Sequence, residues 1–124
     1  MFDPNYYGAT MVHMGDADGF VAGVSHHYPE TIRPSLQIIA TRPGVQRVSA
    51  VVVVLTKRDV HFFADTHVNI DPSAEDLAEI AGLAVKVARA FGVEPRVAML
   101  SLSSFGGSHH PSALKMRRTE LNAA

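Results

Sequence analysis

Cysteine is absent from the 124 residues, which excludes disulfides and thiolate metal sites alike. An excess of either charge is missing too. Eleven Lys and Arg stand against twelve Asp and Glu, for a formal net charge of -1, and the isoelectric point is near 6.6. That balance gives no electrostatic reason to expect DNA, RNA or an anionic membrane as partner. The basic residues are scattered, with Lys57-Arg58 and Lys115-Met116-Arg117-Arg118 as the only small clusters. Long apolar runs are lacking as well. The longest, Ala50 to Leu55, falls far short of the roughly 20 residues a membrane helix needs. The start, Met-Phe-Asp-Pro-Asn-Tyr, carries neither the basic nor the apolar region of a signal peptide, so a cytoplasmic location is expected by default. There is no internal repeat, low-complexity tract or linker. What remains, 47% hydrophobic and 19% charged, is the balance of one ordinary globular domain.

Periodicity suggests an α-β-α-β-β-α-β-α order. Tyr6, Tyr7, Met11 and Met14 recur at helical spacing up to Gly15, with the methionines, like Met99, expected as core filler. Phe20-Val21-Ala22-Gly23 reads as a buried strand. Thr31 can cap a second helix with Pro34 in its first turn and Leu36, Ile38 and Ile39 as its apolar side. The valine-rich run from Arg47 to Leu55 predicts a strand buried on both faces, and Val60 to Ala64 returns as its antiparallel partner after a polar Lys57-Arg58-Asp59 turn. A long helix is expected from Pro72 to Phe91, capped by Asp71 and closed by Gly92. Arg96 to Ser101 is a further apolar strand, and a last helix starts near Pro111. The class is a mixed, layered α/β architecture.

Few residues invite chemistry. The loop Ser101-Leu102-Ser103-Ser104-Phe105-Gly106-Gly107-Ser108 sits between a strand and a helix. Its backbone N–H groups and hydroxyls could cradle a phosphate with help from the helix dipole, or it is a plain flexible connection. No Gly-Lys-Ser/Thr follows, so it is not a Walker loop. Arg33 falls in the predicted first turn of a helix, where the dipole disfavours a cation; an anionic ligand would explain it, and so would an exposed arginine. Seven histidines include the adjacent pairs His26-His27 and His109-His110, but neighbours in sequence rarely reach one metal, and no metal site is expected. Asp65, in Ala-Asp-Thr-His-Val-Asn, is either an acid or base or a turn aspartate. No Gly-x-Ser-x-Gly elbow occurs.

Four stretches, taken together, resemble the phosphate acetyl/butyryl transferase family. They are Gly15 to Gly23 (GDADGFVAG), Thr31 to Gln37 (TIRPSLQ), Phe63 to Ile80 (FADTHVNIDPSAEDLAEI) and Phe91 to Ser101 (FGVEPRVAMLS). They follow the family's order and spacing. The resemblance implies a three-layer α/β/α mixed sheet of the isocitrate/isopropylmalate dehydrogenase type, of which residues 1–124 would be the central segment. Asp65 to Asn69 and Ser103 to Ser112 look most like the C-terminal, transferase-like domains of hybrid NADP-dependent malic enzymes. The expectation is therefore a segment of an acetyl-CoA-responsive, regulatory and oligomerising domain, inactive alone, with NADP and a divalent metal belonging only to an upstream malate region. The alternative is part of a catalytic phosphate acetyltransferase moving acetyl between coenzyme A and phosphate. On either reading the ligand is acetyl-CoA, coenzyme A or acetyl phosphate, and the protein is a homo-oligomer. By resemblance Arg33 faces the ligand cleft, and Ser103, Ser104, Gly106, Gly107 and Ser108 lie near it. Gly19 and Gly23 imply tight backbone packing beneath, and Ala22 replaces a serine common in free transferases.

Overall fold

A computed structural model describes residues 3–104 and 106–123; Phe105 lies outside them, and of 121–123 only the backbone is described. The chain divides into two compact units, 1–46 and 47–124.

In the first unit, helix α1 (Pro4–Met14) starts where Asp3 accepts a hydrogen bond from the Asn5 amide, and it ends at Gly15 in the left-handed conformation. The predicted boundary at Gly15 holds because a residue at φ 81° favours glycine. The methionine expectation does not hold throughout, since Met14 is 69% exposed; the buried side of α1 is carried by Asn5 and Ala9. Gly8 lets the Phe20 ring lie against the helix, where a Cβ would stand 2.3 Å from Phe20 Cε2.

Helix α2 spans Tyr28–Pro34 with His27 at its N-cap, four residues before the expected cap at Thr31. Two prolines compete for the first turn of this segment, and Pro29 takes it. Pro34, lacking an N–H, interrupts the α ladder at the far end. The chain continues as a single π-helical turn (Ser35–Ile39), closed by the Ala40 amide donating to Ser35 O at 3.1 Å. Ala40 then exits at φ 61° and ψ -164°. Tyr6 Oη donates to Gln37 Oε1 at 2.5 Å, tying α1 to this turn.

The second unit carries the hairpin. Strands β1 (Val51–Leu55) and β2 (Val60–Ala64) pair antiparallel, Val53 opposite Phe62. The Thr56 hydroxyl accepts from the Asp59 amide at 2.9 Å and closes the polar turn. The strand is shorter than the predicted Arg47 start and is not buried on both faces, for Leu55 is 77% exposed. The predicted strands at Phe20–Gly23 and Arg96–Ser101 are not formed, with Val21 99% and Leu100 73% exposed. A strand exists only through pairing, and among the described residues only β1 and β2 pair.

Helix α3 (Ala74–Ala90) is capped by Ser73, not Asp71. Ser73 Oγ accepts from the Asp76 amide at 3.1 Å while Asp76 Oδ2 accepts from the Ser73 amide at 3.0 Å, a reciprocal capping box. Leu77, Ile80 and Ala88 form its buried stripe, and Phe91 meets Phe62 edge-on at 5.7 Å. Helix α4 (Pro111–Ala123) packs on α3, and its Ala113 and Thr119 are buried. Displaced from its capping role, Asp71 accepts from Lys115 Nζ, which also donates to Pro72 O at 3.0 Å. Arg118 pairs with Glu75 at 3.1 Å. Helices and an antiparallel hairpin make a mixed α/β fold, short of the eight-element order expected.

Candidate functional site

The serine-glycine loop between residue 100 and α4 is built by its own hydroxyls. Ser101 Oγ accepts from the Ser103 amide at 3.1 Å. In turn Ser103 Oγ accepts from the Ser108 amide at 3.1 Å, and Ser108 Oγ from the His110 amide at 3.2 Å. The Gly107 amide donates to Ser104 O at 3.2 Å. His110 caps α4, its Nδ1 accepting from the Ser112 amide at 3.2 Å. Serine and histidine acceptors at these short spacings compete well with regular structure and fold this connection onto itself.

This network changes what the loop can do. The amides of Ser103, Gly107, Ser108 and His110, which a phosphate cradle would need, already donate inside the loop. The hydroxyls are different. An oxygen that accepts a backbone N–H keeps its own O–H for another acceptor. Ser101, Ser103 and Ser108 therefore form a set of oriented hydroxyl donors.

The loop and α4 together enclose an open cleft of about 420 Å³. Met99, Ala113, Leu114 and Met116 give its lining an apolar part, and Ser101, Ser103, Gly106, Ser108, His109, Arg117 and Glu120 complete it. Of the five predicted loop residues, Ser103, Gly106 and Ser108 line the cleft, whereas Ser104 and Gly107 do not. Arg117, Glu120 and Met99 were not among the expected site residues. A signal existed: Ala113, Met116, Arg117 and Glu120 repeat at i, i+3, i+4 and i+7, one face of a helix.

Arg33 belongs to the first unit, and the cleft is built from the second alone. Arg33 is exposed in the last turn of α2, where the dipole favours a cation, so the electrostatic anomaly inferred from the sequence disappears. Gly19 and Gly23 have open space where a Cβ would stand, so neither marks tight packing; Gly23 is set apart by its φ of 136°. Asp65 sits at φ 58°, its carboxylate accepting from Asn69 Nδ2 at 3.2 Å, which makes it a turn residue. Asn69 Nδ2 also reaches Val48 O at 3.2 Å. Among the described residues no group of three or more His, Asp or Glu is placed to hold a metal ion, and no helix is long and apolar enough to cross a membrane.

Two carboxylates beside the α4 contacts are perturbed. Glu75 is held below its ordinary value by its backbone hydrogen bond, then by Ser73 and the Arg118 charge. Asp76 is lowered by the Ser73 amide it accepts from and by Arg47, whose Nε lies 2.8 Å away.

Residues 1–121 match the family model for phosphate acetyl/butaryl (that is, butyryl) transferase. A phosphate acetyltransferase of Nitratidesulfovibrio vulgaris is 53% identical over 104 residues, 84% of this chain and 15% of its own length. That of Bacillus subtilis is 44% identical over 108 residues, 87% of this chain and 33% of its own. Among solved structures, a phosphotransacetylase from Streptococcus pyogenes superposes with a TM-score of 0.87 at 41% identity, covering 98% of this chain and 37% of that one. A second, from Staphylococcus aureus, gives 0.82 at 38% identity, covering 96% and 36%. The chain thus spans about a third or less of the length of these relatives. They are named as phosphate acetyltransferases, which overturns the expectation of a malic enzyme regulatory segment; the NADP and divalent metal tied to that expectation lose their support with it. By its sequence match and by the fold of its solved relatives, the chain belongs to the phosphate acetyl/butyryl transferase family.

Proposed function

We propose that this chain forms part of a phosphate acetyltransferase, in which an acetyl group moves between coenzyme A and orthophosphate. The observation that carries the reading is the similarity to enzymes named for that activity, sustained over residues 1–121. In this reaction a phosphate oxygen attacks the thioester carbonyl carbon. The C–O bond forms, the C–S bond breaks, and the departing sulfur takes up a proton to leave coenzyme A as its thiol. Both substrates carry phosphate, and negative charge builds on the carbonyl oxygen. Cations and oriented donors are what such a site needs, together with positioning of the two reactants.

Arg33, within Thr-Ile-Arg-Pro-Ser-Leu-Gln, is assigned to phosphate on the strength of its motif, a guanidinium being shaped to meet phosphate oxygens in pairs. Ser103, Ser104, Gly106, Gly107 and Ser108 are assigned to the neighbourhood of the ligand; the hydroxyl network of the loop supports Ser103 and Ser108 most. No residue is assigned a proton-transfer role. The segment is read as the central part of one transferase domain of the three-layer α/β/α type, working as a homo-oligomer on acetyl-CoA and acetyl phosphate.

Calorimetric titration of coenzyme A into the chain, with Arg33→Ala beside it, tests the reading. Saturable binding is expected. Loss of a charged hydrogen bond worth about 1.5–3 kcal/mol weakens it roughly 10- to 150-fold. A chain that binds neither coenzyme A nor acetyl phosphate refutes it.

A further inference from the structure

The cluster Lys115-Met116-Arg117-Arg118 is divided by the fold. Lys115 is committed to Asp71 and Pro72 O, and Arg118 to Glu75. Both fasten α4 to the start of α3. Arg117, exposed on the neighbouring face, has no ion pair or hydrogen bond among the described residues, and it lines the same cleft as the serine loop. The cleft thus brings together one uncommitted guanidinium and three hydroxyls that each accept one backbone N–H and keep an O–H to donate. Each of those groups can donate, and a phosphate group accepts through its unprotonated oxygens. Glu120, one turn further along α4, is the sole carboxylate among the described residues of the lining and opposes such an anion.

From this arrangement we infer that the cleft is a phosphate-group subsite, with Arg117 as its cation and Ser101, Ser103 and Ser108 as its neutral donors. The inference rests on the transferase reading only for the source of the phosphate. That source is either free orthophosphate and acetyl phosphate or the 3′-phosphate of coenzyme A; the chemistry recognised is the same. Hydroxyls that accept backbone N–H groups are polarised by them, which strengthens their own donation in a chain of hydrogen bonds. Arg117 acts on charge and geometry together, and an exposed guanidinium in such a place makes binding fall as salt is added.

The test titrates orthophosphate, coenzyme A and dephospho-coenzyme A, which lacks the 3′-phosphate, into the chain and its variants. Arg117→Ala is expected to weaken one of these interactions tenfold or more. Glu120→Gln, which removes the opposing charge, is expected to strengthen the same one threefold or more. Arg118→Ala, outside the lining, leaves all three within twofold. A loss confined to orthophosphate identifies the free anion as the ligand, and a loss confined to coenzyme A identifies its 3′-phosphate. Affinities unchanged in Arg117→Ala, or no binding of any of the three, overturn the subsite. If Arg33→Ala abolishes coenzyme A binding while Arg117→Ala changes nothing, the transferase reading stands and the subsite falls. Orthophosphate binding that needs Arg117, in a chain indifferent to coenzyme A, does the reverse.

Discussion

Replacing Ala40 by glycine should stabilise the first unit, although glycine ordinarily weakens a protein. Ala40 leaves the π-helical turn at φ 61° and ψ -164°, a region open essentially to glycine alone and costing any other residue about 1–3 kcal/mol. Removing the Cβ relieves that strain. Against it stands the extra freedom of glycine in the unfolded chain, about 0.5–1 kcal/mol. The net gain is about 0.5–2 kcal/mol, taking the low and high estimates together. The assay is unusually clean, because tryptophan is absent and all three tyrosines, Tyr6, Tyr7 and Tyr28, lie within residues 1–46. Tyrosine emission during urea unfolding therefore reports this unit alone. With a slope of about 1 kcal/mol/M, the midpoint should rise by about 0.5–2 M. Ala40→Val, a β-branched residue at positive φ, should lower it. A glycine variant no more stable than the parent would show that the strain at this exit does not exist, and the reasoning would fail.

In Gly8→Ala, the better helix former is expected to lose, because its Cβ would meet the Phe20 ring at 2.3 and 2.5 Å. Overpacking of this kind costs about 1–3 kcal/mol, and a tyrosine-detected urea midpoint that rises would contradict it. Acid should weaken the second unit through Asp76 and Glu75. Their folded-state pKa values lie below the ordinary ones, so the stability they contribute is fully present above the ordinary carboxylate range and is lost as pH falls through the lowered values. Melting by circular dichroism from neutral pH downward should show that loss, and Asp76→Asn should flatten part of it. Equal pH dependence in the two proteins would remove Asp76 from the account.

Helix ends and the hairpin were legible because their causes are local. Gly15 after α1, the polar turn between two apolar runs and the proline-led start of α4 each act over a few residues. Where two local signals competed, the choice went astray. Pro29 took the first turn instead of Pro34, moving Arg33 from the start of a helix to its end. Ser73 capped α3 instead of Asp71, because the reciprocal bond with Asp76 satisfies two orphan groups at once. Met99 was read as core and stands in the cleft lining. The resemblance named the family correctly from four motifs; the finer choice of a malic enzyme parent rested on Asp65 to Asn69 and Ser103 to Ser112, and the relatives that match do not support it.

Composition and motif order alone were sufficient to determine a cysteine-free, charge-balanced α/β chain, its hairpin and its family. Tertiary structure alone decided how equivalent residues divide their labour. Lys115, Arg117 and Arg118 are three cations within four positions of one helix. Only the packing of α4 on α3 turns two of them toward Asp71 and Glu75 and leaves the third beside the serine hydroxyls. The same holds for the loop, whose amides looked available until the fold showed them bonded to one another's side chains. Periodicity and caps depend on neighbours a few residues away, whereas the partner of a charge or a strand is chosen across the chain by what packing brings within reach.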